Sequence, residues 1–424
     1  MTLIVMIAIV LGLLALGMPM AFAMGLGAVC VLWVQGQVPL LQLPITFFTA
    51  LDNYALMAVL LFILAGNLMN VGGVTARIVA LAKALVGHLR GGLAQVNIMT
   101  SVLFGTVNGS AVADTAAVGS MMIPAMSREG YEKRFSVVVT SVSALIVPII
   151  PPSIPSILYG SMTGTSIGRM FVAGIVPGAL MAVGLMGLTW FLASRYGWKP
   201  IPRASWGEIG RTLLGALPAL MMPFIIVGGI VAGIFTPTEA GAVAVVYGVA
   251  MSIGSRSVSL PQFFRMMVTS AKLTASALII LAGSGLFAWV LVREGFAFML
   301  RDAMLSVSDD RTVVMLMIIV GLFILGLVLE GAAALIIAVP ILHPIAVSLG
   351  YDPVQFGIVV IIMVLLGSVS PPVGVVVQLA CKIGGIPFTS TFKLLLPYMA
   401  VVIAVVLLVA FVPAVTAFLP DLLS

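Results

Sequence analysis

Apolar positions in this chain do not alternate with polar ones. They run on in uncharged blocks, at 1–51, 53–75, 91–113, 135–168, 170–194, 212–238, 240–255, 273–292, 312–329, 331–351, 353–381 and 394–420. A continuous apolar run of about 20 residues predicts a helix crossing a bilayer, whereas a barrel strand reads as a shorter alternating segment. The pattern therefore predicts an all-α polytopic membrane protein with roughly a dozen passes, some of them broken. Gly17 and Pro19 divide the first block into two segments. That block lacks a basic flank, and its apolar sequence outruns the roughly 7–15 residues of a signal peptide.

Composition agrees. Of 424 residues, 62% are hydrophobic and 8% charged, against about 25% charged in soluble domains. Lipid is the solvent this chain expects, and no polar stretch is long enough for a separate soluble domain. Its bases sit in short loops and in a segment at 73–90 where Arg77, Lys83 and Arg90 alternate with Ile78, Leu81, Ala82 and Leu85. Such a segment suits an inner membrane surface, and the expected contact is membrane lipid, not nucleic acid. Cys30 and Cys381 read as two buried thiols.

The chain repeats itself at an offset of 220. Pro124, Gly130, Tyr131, Pro151, Pro152, Gly164 and Pro177 fall on Pro344, Gly350, Tyr351, Pro371, Pro372, Gly384 and Pro397. Ala113, Val139 and Leu145 fall on Ala333, Val359 and Leu365. Apolar composition alone would not align the prolines and glycines that shape the backbone. Upstream, Leu64-Ala65-Gly66 matches Leu281-Ala282-Gly283. This gives N-terminal helices over 1–49, a first repeat over 50–195, connecting helices over 196–269 and a second repeat over 270–424. The loop at 73–91 carries three bases and no acid, while its counterpart at 293–311 adds Glu294, Asp302, Asp309 and Asp310. The 127–134 loop carries Arg128, Lys133 and Arg134, and the 348–353 loop has no base. Equivalent loops of opposite charge character point to repeats of inverted topology, a design common among secondary transporters.

In such carriers the site lies at broken helices near the midplane. Asn108-Gly109-Ser110 is a turn signal between two runs too short to cross, which predicts a re-entrant hairpin near 91–126. Asp114 lies four residues past Ser110 on the same face and reads either as a functional intramembrane acid or as a structural one bracing the hairpin. Four prolines between Val147 and Pro155 predict a broken helix near 147–155. The carbonyls they free either ligate a desolvated hard cation or are met by Ser141, Ser143, Ser153 and Ser156. The second repeat offers Leu329-Glu330-Gly331-Ala332 opening a hairpin near 330–347, and Gly367 to Gly374 as a second break. Thr236-Pro237-Thr238-Glu239 reads as a capping box. His88 is expected at the surface and His343 packed among apolar residues. No Walker A motif occurs, and no nucleophile–base or metal spacing supports an enzyme.

At this point the segment from Asn108 to Met126 resembles the signature of the large membrane subunit of tripartite ATP-independent periplasmic (TRAP) transporters. So do Gly233 to Ala240, Pro151-Pro152-Ser153 and Ser370-Pro371-Pro372-Val373-Gly374. The resemblance covers essentially the whole chain. It implies membership of the ion-transporter superfamily, with a scaffold, a moving elevator domain bearing both hairpins, and a place in the bacterial inner membrane. It implies a small four-helix membrane subunit and a periplasmic substrate-binding protein as partners, and Na⁺ as coupling ion. The substrate class it implies is a carboxylate or a sialic acid. Carried onto this sequence, Asn108, Gly109 and Ser110 with Pro148, Ile150 and Pro151 would form one Na⁺ site, and Glu330, Gly331, Ser368, Ser370 and Pro371 its counterpart. Substrate would lie near Ser110, Asp114 and Ser153.

Overall fold

The computed structural model describes residues 2–36, 38–39, 41–71, 73–198, 200–254 and 259–423. Ser255, which ends one predicted apolar run, lies outside them. Among the described residues no strand occurs, and two short 3₁₀ turns accompany twenty α-helices. They are α1 (Thr2–Ala15), α2 (Met20–Gln35), α3 (Gln42–Thr49), α4 (Leu56–Val71), α5 (Val74–Val86), α6 (Gly92–Asn108), α7 (Ala111–Arg128), α8 (Lys133–Ser143), α9 (Ile154–Thr163) and α10 (Ile167–Tyr196). There follow α11 (Trp206–Val231), α12 (Pro237–Gly254), α13 (Leu260–Arg293), α14 (Phe296–Val307), α15 (Arg311–Val328), α16 (Gly331–Ser348), α17 (Pro353–Gly367), α18 (Val375–Gly384), α19 (Phe392–Phe411) and α20 (Ala414–Leu423). Helices satisfy their own backbone groups, as an apolar solvent requires.

Among the described residues, six helices are long and apolar enough to cross a bilayer, or seven if the pair α4–α5 counts as one span. That is fewer than the dozen passes read from the apolar blocks. The blocks are apolar throughout, but prolines and hairpin turns divide several of them into helices of 10 to 18 residues. Apolar composition reports burial in lipid or protein and does not separate a crossing from half of a hairpin.

The halves share one order of elements: a hairpin, a helix with a Pro-Pro break, then a long helix. The second hairpin arms begin at Ala111 and Gly331, and the helices before the breaks begin at Lys133 and Pro353, each pair 220 residues apart. Both breaks hold a cis Pro-Pro bond, at Pro151–Pro152 and Pro371–Pro372, and Gly130 and Gly350 share φ +82°. Tyr131 donates its hydroxyl to the Gly91 carbonyl at 2.8 Å and Tyr351 donates to that of Arg311 at 3.1 Å. The same bond thus ties each hairpin's base.

Packing interlocks the halves. The post-break helix α9 lies on α16 of the second hairpin, and its counterpart α18 lies on α7 of the first. Likewise α10 packs on α17, and α19 on α8. Reciprocal contacts of this kind are what a two-fold relation between repeats produces. Tyr159 pins one of these seams: it donates to the Pro353 carbonyl at 2.7 Å and meets His343 Nδ1 at 2.8 Å. His343 is therefore packed, as expected, but through a hydrogen bond as well as apolar contact. Around this pair of repeats α4 packs on α12, α5 on α11, and α2 on α13.

The capping box is present: Thr236 N–H donates to Glu239 Oε2 at 2.8 Å and Glu239 N–H to Thr236 Oγ1 at 3.3 Å. Cys30 is free but exposed on α2, whereas Cys381 on α18 is buried; an apolar residue on a lipid-facing helix need not be inside the protein. The second hairpin also differs from the sequence reading. Leu329 and Glu330 form its tip, not its opening, so its arms are α15 and α16 and it spans 311–348. The apolar run at 312–329 reads as an independent crossing until the turn at Glu330 folds α16 back against α15.

Candidate ion and substrate site

The first hairpin turns on two residues. Gly109 holds φ +63°, a left-handed conformation natural to glycine, and Ser110 is extended. Ser110 Oγ accepts the N–H of Ala113 at 3.4 Å and so caps α7. The tip is pressed against the break of the same repeat: a Cβ on Gly109 would stand 2.5 Å from the Pro152 carbonyl oxygen. On its other side Asn108 meets α4, where a Cβ on Gly66 would stand 2.8 Å from Asn108 Oδ1. Asn108 is buried and its Nδ2 has no partner among the described residues. The Leu-Ala-Gly match at 64–66 marks this contact in the sequence, but a repeat alone does not say what the glycine faces.

The break is built from prolines and one serine. After α8, a short 3₁₀ turn over Ala144–Ile146 leads into irregular backbone that ends at Ser153, the N-cap of α9. Ser153 donates to the Pro148 carbonyl at 2.5 Å and accepts from Ser156 N–H at 3.1 Å and Ser156 Oγ at 2.8 Å. Its hydroxyl is thus engaged inside the break. Residues 150–152 are buried, yet among the described residues the carbonyls of Ile150, Pro151 and Pro152 accept no hydrogen bond. A buried unsatisfied polar group costs roughly 1–3 kcal/mol. Of the three, the Pro152 oxygen is the one turned toward Gly109, a hard oxygen ligand without a donor at the tip.

Asp114 stands apart from this contact. It is fully buried, and Ser101 Oγ on α6 donates to its Oδ2 at 2.9 Å. Ser101 also contacts Ser143 on α8 at 3.1 Å, Ser143 donates to the Thr140 carbonyl, and Asn97 Nδ2 donates to Thr140 Oγ1 at 2.6 Å. One polar chain thus runs through the hairpin stem, with every member fully buried. Two oxygens on it, Asp114 Oδ1 and Asn97 Oδ1, have no partner among the described residues. A charge at such depth needs a cation or a proton. The network was not read from the sequence, although its signal is there: Asn97 and Ser101 on α6, and Ser136, Thr140 and Ser143 on α8, repeat at helical spacing.

The second repeat has the same frame with different chemistry. Glu330 caps α16, its Oε2 accepting from Ala332 N–H at 3.1 Å and Ala333 N–H at 3.4 Å. Gly331 beside it is buried against Leu365. Across the break, Ser368 and Ser370 return their hydroxyls to the Leu365 and Leu366 carbonyls at 2.6 and 2.8 Å. The carbonyls of Ser370, Pro371 and Pro372 accept no hydrogen bond among the described residues, which matches residues 150–152 at the 220 offset. Here Pro372 is exposed, so this break is the more open of the two.

Comparison with known proteins names the family. The sequence model of "Tripartite ATP-independent periplasmic transporter, DctM component" matches residues 7–415. The sialic acid TRAP transporter large permease SiaM of Vibrio cholerae serotype O1 is 37% identical over 413 residues, covering 97% of each chain. The C4-dicarboxylate large permease DctM of Rhodobacter capsulatus is 32% identical over 439 residues, covering 100% of each. The 2,3-diketo-L-gulonate large permease YiaN of Escherichia coli is 33% identical, covering 97% of each. Among solved structures, the YdaH transporter of Alcanivorax borkumensis shares the fold at TM-score 0.57 and 15% identity, with 86% of each chain covered. This multi-pass membrane chain belongs to the DctM component family of the tripartite ATP-independent periplasmic transporters.

Proposed function

We propose that this chain is the large permease of a sodium-coupled transporter of the inner membrane that takes up a small organic acid of the carboxylate or sialic acid class. The observation that carries the reading is the tip contact, where Gly109 meets the Pro152 carbonyl in a break whose carbonyls at 150–152 accept no hydrogen bond among the described residues. A dehydrated monovalent cation supplies what those oxygens lack, and the matched carbonyls at 370–372 give a second place for it. Substrate sits between the tips, with Ser110 at its edge. Each Na⁺ then links a hairpin to its break, and the interlocked repeats move together as an elevator against the helices around them. The relatives named for sialic acid, dicarboxylate and diketogulonate transport support the substrate class. The same relatives support a small membrane subunit and a periplasmic binding protein as partners. No enzymatic step is needed for this role.

A proton-coupled variant draws on a different observation, the partnerless Asp114 Oδ1. One experiment separates the two. Proteoliposomes holding this chain with its small subunit and binding protein are expected to concentrate substrate under an inward Na⁺ gradient, and to stop when choline replaces Na⁺ or when either partner is omitted. Uptake unchanged in choline sinks sodium coupling, and uptake driven by a pH gradient alone favours proton coupling, with Asp114 and Glu330 as the carriers.

A further inference from the structure

A cavity of ≈ 440 Å³ lies far from both tips, between α5, the base of the first hairpin and the loop that follows α10. That volume is in the range of small-ligand sites. Lys83 enters from α5, Glu129 and Tyr131 from the loop between α7 and α8, and Trp198, Pro200 and Ile201 from the third segment. The walls are fixed. Ile201 N–H donates to the Gly87 carbonyl at 2.9 Å. Trp198 stacks between Tyr131 and Tyr196, each with ring centroids 4.6 Å away. Among the described residues neither Lys83 nor Glu129 forms an ion pair. Among the described lining residues, the site presents one cation, Lys83, and one anion, Glu129, from two separate elements.

Its surroundings set its depth. Tyr196, Trp198 and Trp190 cluster at this end of α10, with the Arg90 guanidinium 5.1 Å above the Trp190 ring. Lys83 lines the cavity, and Arg128, Lys133 and Arg134 flank its lining residues Glu129 and Tyr131 in the chain. Aromatics with bases in short loops mark the cytoplasmic headgroup layer. Leu85, Trp190 and Phe191 are exposed nearby and offer an apolar track leading away.

We propose that this cavity binds the headgroup of a zwitterionic phospholipid with a primary ammonium, phosphate toward Lys83 and ammonium toward Glu129. An anion alone would be opposed by Glu129, and a cation alone by Lys83. The phosphoethanolamine group satisfies both, and its ammonium has hydrogens to donate to the carboxylate. A lipid here spans the arm α5 and the hairpin base at once, and so couples the frame to the moving repeats of the proposed function.

The test is native mass spectrometry of the full chain after equilibration in nanodiscs of phosphatidylethanolamine, phosphatidylcholine and phosphatidylglycerol in equal parts. Wild type is expected to retain one phosphatidylethanolamine that Lys83→Gln and Glu129→Gln each reduce at least tenfold. Glu129→Gln should admit phosphatidylglycerol instead. Both side chains are exposed, so these variants keep their fold, and Arg211→Gln on α11 serves as a charge control that retains the lipid. Equal retention of phosphatidylcholine by wild type, or unchanged retention in both variants, overturns the proposal. So does occupancy by soluble phosphoethanolamine with no lipid retained.

Discussion

Gly109→Ala is expected to lower the initial rate of uptake at least about 100-fold. Two costs combine at this residue. The left-handed conformation at φ +63° penalises a side chain by roughly 1–2 kcal/mol, and the new Cβ would stand 2.5 Å from the Pro152 oxygen. The overlap is with backbone, which cannot rotate aside, so the tip must withdraw from the break. A misplacement of about 1 Å at a binding constellation costs on the order of 100-fold. Initial rates in proteoliposomes at matched protein content check it. A Gly109→Ala rate within twofold of wild type would mean that the tip contact is packing only.

The proton-coupled variant predicts that Asp114→Ala abolishes concentrative uptake while leaving the melting temperature near that of wild type. The carboxylate has one donor, Ser101, and one oxygen with none. A charge so poorly compensated adds little stability, and its removal leaves Ser101 and Ser143 bonded to each other. A purely structural acid would behave in the opposite way, with stability lost and transport kept in whatever protein folds. Thermal melts in detergent beside uptake assays separate the two. Full-rate transport by Asp114→Ala removes the residue from the mechanism.

Much of this architecture is legible in the sequence because prolines and glycines act on the backbone locally. Pro151-Pro152 and Pro371-Pro372 forbid regular helix wherever they stand, and the structure breaks α8 from α9 and α17 from α18 there. Asn108-Gly109-Ser110 turns the chain for the same reason. The second tip is less legible, since Leu329-Glu330 has no glycine before its cap and its apolar flank looks like a crossing. What sequence reading could not supply is relation in space. That Gly66 faces Asn108, that α9 lies on α16 and α18 on α7, and that Asn97, Thr140, Ser143, Ser101 and Asp114 join into one chain depend on how helices pack. The Ser153 hydroxyl shows the same limit: its residue type does not tell that it donates to the Pro148 carbonyl five residues earlier.

The central claim is that sodium is held within this chain at the Pro-Pro breaks, above all where the first hairpin tip meets the Pro152 carbonyl. The measurement that tests it most directly is the melting temperature of the purified chain in NaCl against choline chloride at equal ionic strength. A cation bound only by the folded state at 100 times its Kd stabilises by about 2.7 kcal/mol. The expected result is a melting temperature several degrees higher in sodium, with the gain reduced by Gly109→Ala. Superimposable melts in sodium and choline would contradict the account.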